Sequence, residues 1–385
     1  MKVLLEKLAQ RQDLTAEEMV VIMDTIALGA ADPIQIGVFL SLLRSKGETP
    51  VEVQSLVSVM LRHARLVPLQ QDVKTLDIVG TGGDGANTVN LSTSAAILAA
   101  ACGAKVAKHG NRSVSSRSGS ADVLEVMGVP MLEPQHISPC INEANIAFMY
   151  APHFHPAMKH VAPVRKSMGI RSVFNVLGPL INPAKCQTSV IGVYTPSLLD
   201  LFGQVLHLMG VEHALVVHCA GLDELNPIGD AEIVEVTQQG CQRYTLTPEE
   251  IGIPRCTLKD LEGGDADENC RILRQVFQGG EHCENAIGNT IAYNAGAGRF
   301  PVRAAPRLTV SCRRVVCVRV GQHNQAWLRS GEGCAESWRG YYLLFHVFGT
   351  LTQGTMCSSE DAGPLERSSD AVACLATCCR PIMLS

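Results

Sequence analysis

Thr75-Leu76-Asp77-Ile78-Val79-Gly80-Thr81-Gly82-Gly83-Asp84-Gly85 runs from a short apolar, β-branched stretch straight into glycine. The first half has the composition of a buried strand. In the second half the missing side chains let backbone N–H groups close on an anion such as phosphate. Further short runs follow at Lys105 to Lys108, Ile146 to Tyr150, Ser189 to Tyr194, Ala214 to His218 and Ile233 to Val236. Helices with start and stop signals lie between them, among them Thr93 to Cys102 closed by Gly103 and Pro196 to Met209 closed by Gly210. This alternation predicts an α/β fold: a mainly parallel sheet flanked by helices, with its ligand beyond the carboxyl ends of the strands.

Upstream of Thr75 the punctuation is helical. Thr15 with Glu18, and Thr49 with Glu52, have the spacing of reciprocal helix caps. Asp32-Pro33 and Thr49-Pro50 put proline where its missing N–H costs nothing. Ile34, Val38 and Leu42, together with Ile36, Phe39, Leu40 and Leu43, leave few polar positions between them, so that helix is expected to pack on more than one side. Three short helices of this kind hold no core alone. They call for a docking partner: the rest of the chain, a second subunit, or both.

With 385 residues the chain has room for two or three folding units at roughly 150 residues each. Its formal charge of −5 lacks the basic excess of a dedicated nucleic-acid binder, which favours a small-molecule partner. The opening Met1-Lys2-Val3-Leu4-Leu5-Glu6-Lys7 brings in charge before an apolar run can form, and no uncharged stretch reaches membrane-spanning length. None of the 15 cysteines falls in a Cys-x-x-Cys pair, so they read as reduced thiols. The expectation is a cytoplasmic protein with neither membrane nor nucleic acid as partner.

The glycine segment Gly80 to Gly85 also matches the Gly-x-Gly-x-x-Gly dinucleotide fingerprint. That fingerprint expects an acid about 20 residues on, at the next strand, to take the ribose hydroxyls. Lys105 and Lys108 stand there instead, and lysine suits phosphate. No Gly-Lys-Ser/Thr follows the glycines, so a nucleotide-triphosphate loop is absent as well. Thr88 and Asn90-Leu91-Ser92-Thr93 lead into the next helix, where hydroxyls, orphan N–H groups and the positive end of the dipole converge. Asn90 or Ser92 as a simple helix cap is compatible with that reading.

Lys108-His109-Gly110-Asn111-Arg112-Ser113-Val114-Ser115-Ser116-Arg117-Ser118-Gly119-Ser120 packs three cations, five serines and two glycines into 13 residues at a strand's end. Such a loop is dense in phosphate donors, although a solvated surface loop would have a similar composition. From the residues alone, the reading is a phosphate-rich ligand on an α/β sheet.

These motifs, followed by Ser118-Gly119-Ser120-Ala121-Asp122 and Phe174-Asn175-x-Leu177-Gly178-Pro179-Leu180-x-Asn182-Pro183, resemble the anthranilate phosphoribosyltransferase family in their order. The resemblance implies transfer of a phosphoribosyl group from phosphoribosyl pyrophosphate to anthranilate. The pyrophosphate and ribose phosphate would lie against Gly80, Thr81, Gly82, Gly83, Asp84, Thr88, Asn90 to Thr93, Lys108 to Ser116 and Ser120. Asp223-Glu224 matches the family's acidic pair for Mg²⁺, with Ser92 as a further ligand and Asp84 assisting through water. Arg165 and Asn111 would take anthranilate, with Gly80 lining the same place, and Lys108 would stabilise the departing pyrophosphate. Tyr150 to Pro156 offers an apolar and aromatic wall. His109, His153, His155 and His160 form no metal pattern and read as structural.

The architecture the resemblance implies is a small helical domain over residues 1–68, joined by helical pieces near 165–185, on an α/β domain over 69–297, associating as a homodimer. Past Ala297 the resemblance stops. The 88 residues from Gly298 to Ser385 hold 7 of the 15 cysteines, both tryptophans and 10 arginines, but no lysine, and an out-of-frame reading of the gene fits that composition better than a true appended module. Cys374, Cys378 and Cys379 have a spacing that suits no common zinc site. Two rivals share the architecture. One is a pyrimidine nucleoside phosphorylase, whose glycine segments differ from these; the other is a non-catalytic nucleic-acid-binding relative, which should lack the acidic pair and carry a basic surface.

Overall fold

Threonine at the N-cap with glutamate three residues later closes both predicted capping boxes, and the chain opens with four helices rather than three: α1 (Lys2–Ala9), α2 (Ala16–Ala27), α3 (Pro33–Lys46) and α4 (Pro50–Arg62). Thr15 Oγ1 accepts from Glu18 N at 3.3 Å, and Glu18 Oε2 accepts from Thr15 N at 2.8 Å. Glu52 does more than cap α4. Fully buried, it accepts from Thr49 N and Leu14 N, both at 2.9 Å, and pairs with Lys46 at 2.9 Å. The computed structural model describes residues 1–70, 73–113, 116–278 and 285–299. Val114 and Ser115, and the tail from residue 300, lie outside them.

The larger domain is a seven-stranded sheet: β1 (Leu76–Gly80), β2 (Val106–Gly110), β3 (Ile146–Tyr150), β4 (Thr188–Gly192), β5 (His213–Cys219), β6 (Ala231–Thr237) and β7 (Gly240–Leu246), in the order β3-β2-β1-β4-β5-β6-β7. The first five are parallel, and β6 runs antiparallel to both of its neighbours, β5 and β7. Six of the strands answer the sequence expectation within a few residues, whereas β7 and the antiparallel edge were not foreseen. The intervening helices are α5 (Leu91–Ala101), α6 (Ser120–Val126), α7 (Pro134–Ala144), α8 (Ala151–Phe154), α9 (Met158–Met168), α10 (Leu199–Leu208), α11 (Ala266–Phe277) and α12 (Ala286–Arg299). The segment expected to be helical near 165–185 holds the end of α9 and two 3₁₀ turns, Val173–Asn175 and Gly178–Leu180. Among the described residues no helix is long and apolar enough to cross a membrane.

Successive strand residues serve opposite faces, and both faces are covered, which is why the strands read as unbroken apolar runs. Leu76 and Ile78, Val190, Leu215 and Val217 point into one core with α5, α7, α11 and α12. Val79, Ile191, Val193, Val216 and Val234 point into the other, together with Met19, Ile22, Phe39, Leu56 and Met60 of the helical domain. The docking partner those helices require is therefore the sheet itself. Only one side of α3 is used: Ile36, Phe39, Leu40 and Leu43 are buried, whereas Ile34 is 76% exposed.

Candidate active site

Strand order reverses between β1 and β4, so crossovers leave in opposite directions and a crevice opens at their carboxyl ends. The glycine segment leaves β1 at that point. The turn Cys219 to Leu222, with Ala220 and Gly221 both in left-handed backbone, leaves β5 two strands away and swings Asp223 back over it. Asp223 Oδ2 accepts from Gly82 N at 2.5 Å, and Glu224 Oε1 accepts from Ser92 N at 3.2 Å. The acidic pair thus meets both the glycine loop and the start of α5. Glycine is required at Gly80 and Gly192 by this approach: a Cβ on the first would strike the Asp223 carboxylate, and on the second its backbone carbonyl.

Burial holds Asp223 and Glu224 above the usual carboxylate range. For Asp223 the charges of Glu224 and Asp84 add to the rise; for Glu224, Lys108 pulls the other way. Acids crowded in this way are matched by a cation. Among the described residues no three His, Cys, Asp or Glu side chains form an all-protein metal cage. Two carboxylates beside a crevice nevertheless suit Mg²⁺, which keeps waters and takes substrate phosphate oxygens for the rest of its shell.

Lys108, 3% exposed, lies beneath these acids with its ammonium donating to Ile78 O at 2.6 Å. Burial lowers its pKa, and the charges of Asp77, Glu224 and Asp223 partly restore it. Asp77 is pushed up to about 6, chiefly by burial, with Lys108 and Asn182 opposing. Asn182 of the Gly-Pro-Leu-x-Asn-Pro stretch donates to Asp77 Oδ2 at 2.7 Å and to Ala107 O at 2.8 Å, which locks β1 to β2 below the site. His109 Nδ1 is 3.1 Å from Gly178 O, and its ring meets that of His155 edge-on, with centroids 5.1 Å apart.

Asn90 stands at the N-cap of α5 but does not cap it with its side chain. The amide donates to Ser118 O at 3.1 Å and accepts from Asn269 Nδ2 of α11 at 2.9 Å. Thr93 Oγ1 donates to Ser120 Oγ at 2.9 Å, so the α5 start and the serine loop face each other. Leu91 is buried in the core and its amide is taken by Val89 O, while Thr88 pairs as a bridge with Glu262. Asp122 organises the serine loop by accepting from Ser113 N at 3.0 Å and Gly119 N at 2.8 Å. Ser113 and Ser116 hydroxyls are 2.8 Å apart.

Three expected site residues are not drawn into this cluster. Arg112 is turned to α6, with a two-pronged ion pair to Glu125 at 2.6 Å and a bond to Asp122 Oδ1 at 3.2 Å. Asn111 Oδ1 accepts from Arg112 N at 2.8 Å. Arg165, on α9, is half-buried, and its side chain has no hydrogen bond or ion pair among the described residues. Sequence reading missed Asn226 and Asn294 as well. Asn294 of α12 holds both the N–H and the C=O of Leu225, at 3.1 and 2.7 Å, and Asn226 donates to Glu224 O at 2.9 Å. Together they fix the backbone that carries the acidic pair.

Residues 2–64 match the model of the glycosyl transferase family, helical bundle domain, and residues 72–307 match that of the glycosyl transferase family, a/b domain, a span that continues past Ala297. The chain is 46% identical over 298 residues to anthranilate phosphoribosyltransferase of Anaeromyxobacter sp. (strain Fw109-5), covering 76% of this chain and 88% of that one. With the enzyme of Pelobacter propionicus the identity is 44% over 288 residues, 71% of this chain and 82% of the relative. The crystal structure of anthranilate phosphoribosyltransferase from Thermus thermophilus superposes with a TM-score of 0.77 at 36% identity, covering 91% of this chain and 99% of that chain. The Saccharomyces cerevisiae enzyme in complex with PRPP and Mg gives 0.69 at 27%, covering 86% and 92%. The chain belongs to the anthranilate phosphoribosyltransferases of the glycosyl transferase family.

Proposed function

We propose that the chain transfers the 5-phosphoribosyl group of phosphoribosyl pyrophosphate to the amine of anthranilate, releasing pyrophosphate, as the second step from chorismate to tryptophan. The observation that carries this reading is the meeting of the glycine loop, the α5 start and the Asp223-Glu224 pair at one strand-order reversal. Bound Mg²⁺, held by Asp223 and Glu224 with Ser92 alongside, would supply positive charge to the pyrophosphate. Around it the chain's own groups bind and orient. The N–H groups of Gly83 and Gly85 have no partner among the described residues and are available to phosphate oxygens. Hydroxyls of Ser92, Thr93, Ser116 and Ser120 would be further donors, those of Thr93 and Ser120 lying 2.9 Å apart, and the buried Lys108 ammonium would add positive charge.

Arg165 is the acceptor's partner in this reading. A half-desolvated guanidinium with no carboxylate of its own is matched by the planar carboxylate of anthranilate. The aromatic amine attacks without a strong base, so positioning and preorganised charge carry the acceleration and no covalent enzyme intermediate forms. Asp223→Asn and Arg165→Ala should each lower kcat/KM by roughly 10²-fold in a steady-state assay, and near-unchanged kinetics in either would contradict the assignment. The helical domain is read as the face of a homodimer. In support, Val3 on α1 is 80% exposed and Ile34 on α3 is 76% exposed, apolar positions that a second copy would cover.

A further inference from the structure

Gly82, Gly83 and Gly85 all hold left-handed backbone, with φ of 71°, 86° and 72°. A segment so poor in side chains has few anchors of its own and many conformations to lose on binding. Its order has to come from neighbours: Asp223 holds Gly82 N, and Arg171 holds Gly83 O directly and adjoins Tyr194, which holds Thr81. Arg171, between α9 and the Val173–Asn175 turn, donates from Nη2 to Gly83 O at 2.7 Å. Its guanidinium also lies over the Tyr194 ring, 4.6 Å from the centroid. Tyr194 N in turn donates to Thr81 Oγ1 at 3.3 Å, and Thr81 N donates to Gly192 O at 2.9 Å. On its other side the Arg171 carbonyl accepts from the guanidinium of Arg44 in α3.

We infer that Arg171 is a positioning residue for the glycine loop, aiming its amides at the pyrophosphate and tying the loop to the helical domain through Arg44. The Gly83 carbonyl and the Asp84 N–H share one planar trans unit and point in opposite directions. Holding the carbonyl on Arg171 therefore turns the Asp84 N–H away from that guanidinium, and this N–H has no partner among the described residues. Gly83 is glycine for the same reason, since a Cβ there would sit 3.2 to 3.4 Å from the guanidinium in a backbone conformation that already disfavours one. Lysine would keep the charge and a donor but lose the planar stack on Tyr194.

This inference rests on the loop's role as the pyrophosphate site, and its test separates the two. In Arg171→Ala the KM for phosphoribosyl pyrophosphate should rise about tenfold, as misplacement of a positioning group does. The KM for anthranilate and the melting temperature should hold, and Arg171→Lys should fall between. Hydrogen exchange on the ligand-free chain should quicken at the bonded loop amides of Thr81, Gly82 and Ala86 in Arg171→Ala and not elsewhere. That measurement stands even if the wild-type chain turns nothing over, a result that would sink the transferase reading alone. Unchanged loop exchange, or both KM values rising together with a lowered melting temperature, would overturn the positioning role.

Discussion

Asp223 is crowded on every side, and the crowding makes its neighbours testable. Gly80→Ala adds a methyl where the carboxylate sits, so kcat/KM should drop at least tenfold while the circular dichroism spectrum stays that of the parent; full activity would mean that Asp223 does not need this place. The two interior histidines make a prediction about pH. Burial takes His109 down to about 3, with the charge of His155 adding, and takes His155 down to about 4. Between the ordinary value of about 6.5 and those values the unfolded chain binds protons that the folded one refuses. The contribution of these two histidines is therefore complete above about pH 6.5 and is lost as pH drops toward 4, while Asp77, Asp223 and Glu224, raised by burial, act in the opposite sense. The change in urea midpoint from pH 7 to pH 5 should be more favourable in His155→Gln than in the parent; the same change in both would refute the assignment. At this scale the glycines after β1 declare their chemistry by residue type, whereas Asp223 and Arg165 were singled out only by the family resemblance. Arg171, Asn269 and Asn294 were illegible because each acts on backbone or side chains far away in sequence, Asn294 on Leu225 for example.

The capped helices were readable from local spacing alone, because a capping box is settled within four residues. The Glu52 carboxylate is the exception that matters for stability, as its bonds to Leu14 and Lys46 come from the fold. Removing the carboxylate strands the amides of Leu14 and Thr49 without an acceptor, while Lys46 keeps Asp13 at 2.7 Å. Glu52→Ala should cost about 3 kcal/mol in urea unfolding, against about 1 kcal/mol for loss of the cap at Thr49→Ala. Equal losses would show that Glu52 is only a cap. The edge strand β7 escaped notice because Gly240-Cys241-Gln242-Arg243-Tyr244-Thr245-Leu246 is mostly polar, and its pairing with β6 is what makes it a strand. The parallel strands were plain because burial on both faces writes itself as unbroken apolar sequence.

Across the whole molecule, one face of the sheet packs on its own crossover helices and the other on the helical domain, so the two domains share a core. The second apolar side of α3, read in advance as a packing face, is the part this arrangement leaves open at Ile34 and Val38. Sedimentation velocity should find a species of twice the chain mass, and Ile34→Glu should shift it to the single chain; a monomer in both would remove the homodimer from the account. The central claim is that the loop, the acidic pair and Arg165 together make a phosphoribosyl transfer site. The most direct test follows the decay of anthranilate fluorescence when the purified chain is mixed with phosphoribosyl pyrophosphate and Mg²⁺, omitting each in turn. The account predicts a decay that requires all three components together with the chain, and no decay in Asp223→Asn on the same timescale. A folded wild-type chain that leaves the fluorescence constant, or a decay indifferent to Mg²⁺, would contradict it.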